Sequence, residues 1–202
     1  MKRTRTCIIG IILTLVGTAN AEPILSEVLN TIYGVANWTP YNAPDELWRC
    51  LNGHATAEAR FAAYTQDFGF LPDVIGGDFQ SLFNVTTTGY LDSSLSAVFT
   101  TTQCGTIFRF ADKPSSNPLC TYLWSSQVND NSDGMDHMQT YVITGGTSAG
   151  NYAIAWEDLP DLGDADYQDL VVEVSGVQPV PEPATVLLLG LGALALRKKR
   201  RG

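Results

Sequence analysis

Apolar and polar positions along this chain change rhythm once. Between residues 24 and 33, Ile24, Leu25, Val28, Leu29 and Ile32 fall on one stripe of a 3.6-residue repeat. Pro23 suits the start and Gly34 the stop, which predicts a short amphipathic helix. Residues 45–51 are expected to form a helical turn, and residues 55–64 helix or extended chain. After Phe68 the period shortens to two and threonine, serine, glycine and aromatics take over. Runs at 95–101, 106–110, 122–126, 140–144, 152–156 and 170–174 read as strands. Gly105, the stretch 113–118 and the glycines from 145 to 150 punctuate them as turns. Many short strands with such spacing predict a mainly β fold, an antiparallel β-sandwich or jelly roll, behind a short N-terminal helical region. The expected divisions are a signal peptide at 1–21, a helical region at 22–68, the sandwich at 69–176, a linker at 177–183 and a sorting segment at 184–202.

Strand phase carries the reading further. Tyr152, Ile154 and Trp156 share one face of their strand, and Leu170, Val172 and Val174 share one face of theirs. Trp156 is therefore expected in the core. Between these strands lies a loop from Asp158 to Gln168, longer than a hairpin needs. It carries Asp158, Asp161, Asp164 and Asp166, with Glu157 and Asp169 at its edges and no lysine or arginine. A second acidic run, 130–137, precedes the strand near 140 and includes Asp133 and Asp136. If the strands at 139–144, 152–156 and 170–174 form an up-down-up meander, both acidic loops fall at the same end of the sheet. Closely spaced carboxylates are the hard oxygen donors that calcium prefers. One calcium site is expected, with Asp164, Asp166 and Asp169 as core ligands and Glu157, Asp158, Asp133 and Asp136 around them. The spacing is not that of an EF-hand, since Asp169 falls where glycine is required and Ser175 where glutamate is expected.

Charge and the two chain ends alter the picture. Lys2, Arg3 and Arg5, an apolar stretch from 7 to 17 and Ala19-Asn20-Ala21 read as an export signal. At the other end, Pro181-Glu182-Pro183 precedes a 13-residue apolar run, 184–196, and then Arg197-Lys198-Lys199-Arg200-Arg201. As a helix that run spans about 20 Å, a marginal crossing of a bilayer core about 30 Å thick. The triplet, short apolar helix and basic end resemble the PEP-CTERM sorting signal of exported proteins in Gram-negative bacteria. The resemblance implies transient anchoring in the inner membrane by a transmembrane helix. It also implies recognition of Pro181, Glu182 and Pro183 by an exosortase, and delivery to the cell surface or outside the cell. Both ends hold most of the basic residues, so the body keeps four, Arg49, Arg60, Arg109 and Lys113, against 21 acidic ones, a net charge of −17. Such a body repels nucleic acid and attracts divalent cations.

Asp136-His137-Met138, Ala155-Trp156-Glu157-Asp158-Leu159 and Asp164-Ala165-Asp166-Tyr167-Gln168-Asp169-Leu170-Val171-Val172 resemble a domain of unknown function common in exported bacterial proteins. The match spans roughly residues 130–174, with Gln168 where the family often has asparagine. It implies a β-rich domain whose acidic motif binds calcium, and it brings no activity.

Three cysteines survive processing, Cys50, Cys104 and Cys120. An oxidising compartment permits one bridge among three pairings, with Cys104–Cys120 favoured because it closes a short loop. No nucleophile-elbow glycines surround a serine, and neither phosphate loop nor dinucleotide fingerprint is present. His54 and His137 stand isolated. The expected function is non-enzymatic, namely a calcium-stabilised surface or extracellular-matrix protein in a structural or adhesive role. The alternative is a calcium-dependent module for exopolysaccharide, using some of Trp38, Trp48, Trp124 and Trp156 as a stacking platform. A hydrolase comes third.

Overall fold

The computed structural model describes residues 22–117 and 120–181, without the side chains of 116, 117, 120 and 121. The expected signal peptide 1–21, the sorting residues Glu182 and Pro183 and the expected sorting segment 184–202 lie outside the described residues. Among the described residues no helix is long and apolar enough to cross a membrane.

The N-terminal stripe folds as its periodicity requires. Helix α1 (Leu25–Tyr33) buries Val28 and Leu29 and stops at Gly34, whose φ of 92° suits a residue without a Cβ. There follow β1 (Trp38–Pro40), β2 (Trp48–Arg60), β3 (Thr65–Pro72), β4 (Gln80–Val85), β5 (Gly89–Tyr90) and β6 (Ser96–Phe99). A single helical turn, α2 (Thr101–Cys104), separates these from β7 (Phe108–Asn117), β8 (Cys120–Thr121), β9 (Trp124–Ser125), β10 (Met138–Ile143), β11 (Tyr152–Trp156) and β12 (Leu170–Pro179). Every pairing is antiparallel.

The helical reading of 22–68 holds only for α1. Residues 48–60 form a 13-residue strand, and a boundary at 69 would cut β3. The Ala-rich stretch of β2 has helix propensity, but it lies between β12 and β6 with Ala55, Ala57 and Ala59 fully buried. Tertiary pairing overrides the local preference. Similarly, the stretch expected to turn at 113–118 extends β7, with Lys113 and Pro114 opposite Asp67 and Gln66 of β3.

The strands form two layers. Sheet I runs β1-β10-β11-β12-β2, and sheet II joins β4, β3 and β7, with β8 and β9 on the free side of β7. A single pair, Trp48 opposite Phe108, links them at a corner. Trp48, Phe68, Phe110, Ile154, Trp156, Leu170 and Val172 fill the space between the layers. The outer face of sheet I carries Ala59, Ala153, Ala155 and Val171, and α1 covers it with Val28 and Leu29. Both faces of β11 are therefore buried, in the phase expected from the sequence.

One irregularity places a functional group. The register between β2 and β12 shifts between Ala57 and Ala59, so Glu58 is the extra residue of a bulge. Ala57 packs into the inter-sheet core, whereas Ala59 packs on the outer face. The same shift turns Arg60 inward, 3% exposed. Glu58 itself is pushed up to about 7, first by burial and then by Glu173, with Ser93 opposing. Tyr33 also faces this pair of carboxylates. A carboxyl raised in the folded state stabilises most when neutral, below its usual 4.5, and loses that stabilisation as pH rises through about 7. Glu58→Gln is thus expected to match the parent near pH 4.5 and to exceed it by about 1 kcal/mol at pH 8, after solvent screening. Urea denaturation at both pH values checks this, and an unchanged gap would contradict it.

Cys50 and Cys104 are free, buried thiols that lie beside one another, and burial followed by Cys50 pushes Cys104 up to about 12. The side chain of Cys120, the expected partner of Cys104, lies outside the described side chains.

Candidate functional site

Strands β10, β11 and β12 form the expected meander, with Met138 opposite Trp156 and Trp156 opposite Leu170. The loops at 130–137 and 158–169 consequently share one end of sheet I, and hydrogen bonds knit them together. Asp161 N–H donates to Asp133 Oδ2 at 2.8 Å, and the Tyr167 hydroxyl donates to the Asp136 carbonyl at 2.7 Å. The Glu157 N–H donates to the His137 carbonyl at 3.0 Å. His137 is fully buried, its ring stacked 3.8 Å from that of Trp124. Its ring nitrogens face the Glu157 carbonyl at 2.8 Å and Asp133 Oδ2 at 3.0 Å.

The acidic candidates separate into two groups. Oxygens of Glu157, Asp164 and Asp166 lie within 4.8 Å of one another, and so do oxygens of Glu157, Asp158 and Asp169. Oxygens bound at about 2.4 Å around one calcium ion are at most about 4.8 Å apart, so either group has the right spread. Glu157 belongs to both and is fully buried. Asp164 and Asp166 therefore meet Glu157, and Asp169 meets Glu157 and Asp158, where the sequence suggested one joint set. Asp133 and Asp136 join neither group. Asp133 is engaged by His137 and Asp161, while Asp136 Oδ1 accepts the Met138 N–H at 3.2 Å.

The loop that presents these groups is held in an unusual backbone. Asp161, Leu162, Ala165 and Tyr167 all have φ between 55° and 61°, a region that costs non-glycine residues about 1 kcal/mol or more. Gly163, at φ 42°, is needed for space as well. A Cβ there would stand 2.7 Å from Leu159 and 3.0 Å from Glu157 Oε1. Such strain concentrates where a loop must aim side chains.

Electrostatics report the crowding. Burial, then Asp158, pushes Asp169 up to about 9. Burial pushes Asp158 up to about 6, although Gln66, Asp169 and Arg60 pull the other way. Glu157 is raised by burial and by Asp164, Asp166 and Asp158. Carboxylates taken from water and set against each other need a proton or a cation.

Sheet II contributes residues that the sequence reading missed. Gln66 Nε2 donates to Asp158 Oδ2, and Trp124 Nε1 donates to the Asp158 carbonyl at 2.9 Å. Asp112 is fully buried, and both Asp158 and Asp169 raise it further beyond what burial does. A signal existed: Asp112 is in phase with Phe108 and Phe110, a charge on an apolar face. Ending the strand at Phe110 left it in a loop, where such a charge is unremarkable.

Compared with known families, residues 97–177 match a domain of unknown function, DUF4114, a span that runs from within β6 through most of β12. Residues 179–201 match the PEP-CTERM protein-sorting motif. No curated protein matches the chain. The sorting motif marks the chain as exported and sorted by an exosortase to the cell surface or beyond.

Proposed function

We propose that this chain is a calcium-stabilised β-sandwich with a structural or adhesive role, not a catalytic one, in the surface or extracellular polysaccharide matrix of a Gram-negative bacterium. The observation that carries the reading is the convergence of two carboxylate triads on the buried Glu157, at a rim with far more acid than base. The sorting motif supports the location. The tryptophans support a structural role over a stacked-sugar platform. Trp48, Trp124 and Trp156 are at most 1% exposed, and Trp38 donates to Asn30 Oδ1 at 3.0 Å while packing edge-on against Tyr141.

The exopolysaccharide-binding alternative keeps one observation in its favour. An open cleft of about 540 Å³ is lined by Asn84, Thr86, Thr87, Asp92 and Ser94 beside Tyr90, which is 46% exposed. One aromatic, with Val85, Leu91 and Leu95 beside hydroxyls, one carboxamide and one carboxylate, offers a sugar ring both apolar surface and hydrogen-bond partners.

Calorimetric titration of calcium into the full chain in detergent tests the main reading. Heat of binding and a melting temperature that falls by about 10 °C in chelator are expected, as a ligand held at 100 to 1,000 times its dissociation constant adds about 3–4 kcal/mol. Absence of both results would remove calcium from the account. A pull-down with exopolysaccharide, with and without calcium, separates the two roles: retention only with calcium favours the binding module.

A further inference from the structure

Five carboxylates make up the two triads at this rim, Glu157, Asp158, Asp164, Asp166 and Asp169, and a sixth, Asp112, joins neither triad but lies close enough for Asp158 and Asp169 to act on it. Among the described residues, the basic side chain acting on Asp112, Asp158 and Asp169 is Arg60. Its hydrogen bonds go elsewhere, to the carbonyls of Tyr64 and Thr86 and the hydroxyl of Thr88. With one guanidinium, the ionised set is five charges negative. A single divalent ion leaves three of them, and two ions leave one.

The geometry divides the set in the same way. Glu157 accepts the Leu159 N–H on Oε1 at 3.2 Å and the Asp166 N–H on Oε2 at 3.3 Å, so its two oxygens look toward different stretches of the loop. The outer triad holds Asp164, which is exposed, and the half-buried Asp166. The inner one lies against sheet II. There Asp112 stands in register between Phe68 of β3 and Trp124 of β9, both buried, on the face that looks toward sheet I. Neither oxygen of this fully buried carboxylate has a well-formed hydrogen bond, although the Lys113 N–H acts on it, and Oε1 of the fully buried Gln66 has no partner. Unpartnered buried oxygens are costly, and a carboxylate most of all.

We propose that the rim binds two divalent cations bridged by Glu157, and that the inner ion, seated on Asp158 and Asp169 of sheet I, draws in Asp112 of sheet II, whose oxygens lie outside the 4.8 Å spread of that triad. The inference rests on the calcium reading above and deepens it: the inner ion is a tie between the two layers. All donors are oxygens, and Asp112, Glu157 and Asp158 are buried, which suits calcium better than magnesium, an ion that keeps several waters, and better than metals that seek nitrogen or sulfur. Gln66 carries a further oxygen at the same place, its amide already fixed against Asp158.

The test is the number of calcium ions bound per chain, measured by atomic emission after equilibrium dialysis of the full chain in detergent at about 0.15 M salt, where exposed carboxylates are largely screened. Two are expected for the parent and one for Asp112→Asn, a change that preserves shape. Asp164→Asn combined with Asp166→Asn is expected to leave one as well, the inner ion. One ion in the parent, unchanged in Asp112→Asn, would overturn the inner site while leaving the calcium reading intact. Two ions in Asp112→Asn would overturn the role of Asp112. No bound calcium in the parent would remove both. If Asp112→Asn fails to fold, the parent count still decides, since one ion contradicts the proposal and loss of one ion on removing Asp164 and Asp166 from a two-ion parent supports it.

Discussion

In calcium, Glu157→Gln is expected to melt well below the parent chain, and in chelator slightly above it. The crossing follows from what Glu157 does in each state. Without a cation it is a fully buried carboxylate facing Asp158, Asp164 and Asp166, so removing its charge relieves repulsion. The relief is limited to about 1 kcal/mol, because glutamine offers one acceptor where Glu157 serves the N–H groups of both Leu159 and Asp166. With calcium present, the variant loses the ligand common to both triads. About 3 kcal/mol of ligand-linked stabilisation then disappears, or roughly 6–12 °C for a domain of this size. Thermal melts of both proteins, each with calcium and with chelator, give four values. Parallel shifts in the two conditions, with no crossing, would show that Glu157 serves the fold alone.

The second large effect is expected from Trp156→Ala, at about 4 kcal/mol lost in either condition. Trp156 is fully buried at the end of β11, paired with Met138 on one side and Leu170 on the other. Its ring lies 6.5 Å from that of Phe68, so it is a main contact between sheet I and sheet II. Truncation opens a cavity that strands on both sides hold open. Trp156→Phe is expected to lose about half as much. Chemical denaturation measures both, and a loss under about 1 kcal/mol for alanine would place the ring outside the core. Because Trp156 adjoins Glu157, the alanine variant is also expected to bind calcium more weakly.

The meander and the meeting of its loops were legible because alternation fixes the face of each strand, and short connections fix direction. Ile154, Trp156, Leu170 and Val172 took the faces expected of them. The helix at α1 was legible from its stripe and its terminal Pro23 and Gly34. Strand β2 was not, since alanines and charged residues in alternation suit helix and strand alike, and only pairing with β12 and β6 decides. The bulge at Glu58 leaves no local mark, yet it determines that Arg60 enters the acidic interior. Within the site, the loop carboxylates stood out by their density. Their division into two groups depends on positive φ at Ala165 and Tyr167, which residue type does not announce. Asp112 and Gln66 were hidden for another reason. Periodicity shows which face a side chain takes, but not which part of a second sheet lies opposite that face.

The direction of β12 has a consequence for how the body stands when held. The strand begins beside the acidic rim at Leu170 and ends at Pro179, opposite Trp48, where Val180 N–H donates to the Leu47 carbonyl at 2.7 Å. Ten residues of strand separate those points by about 30 Å. Wherever the chain is held by the residues that follow Pro179, the acidic rim therefore lies about 30 Å of strand away from the point of attachment.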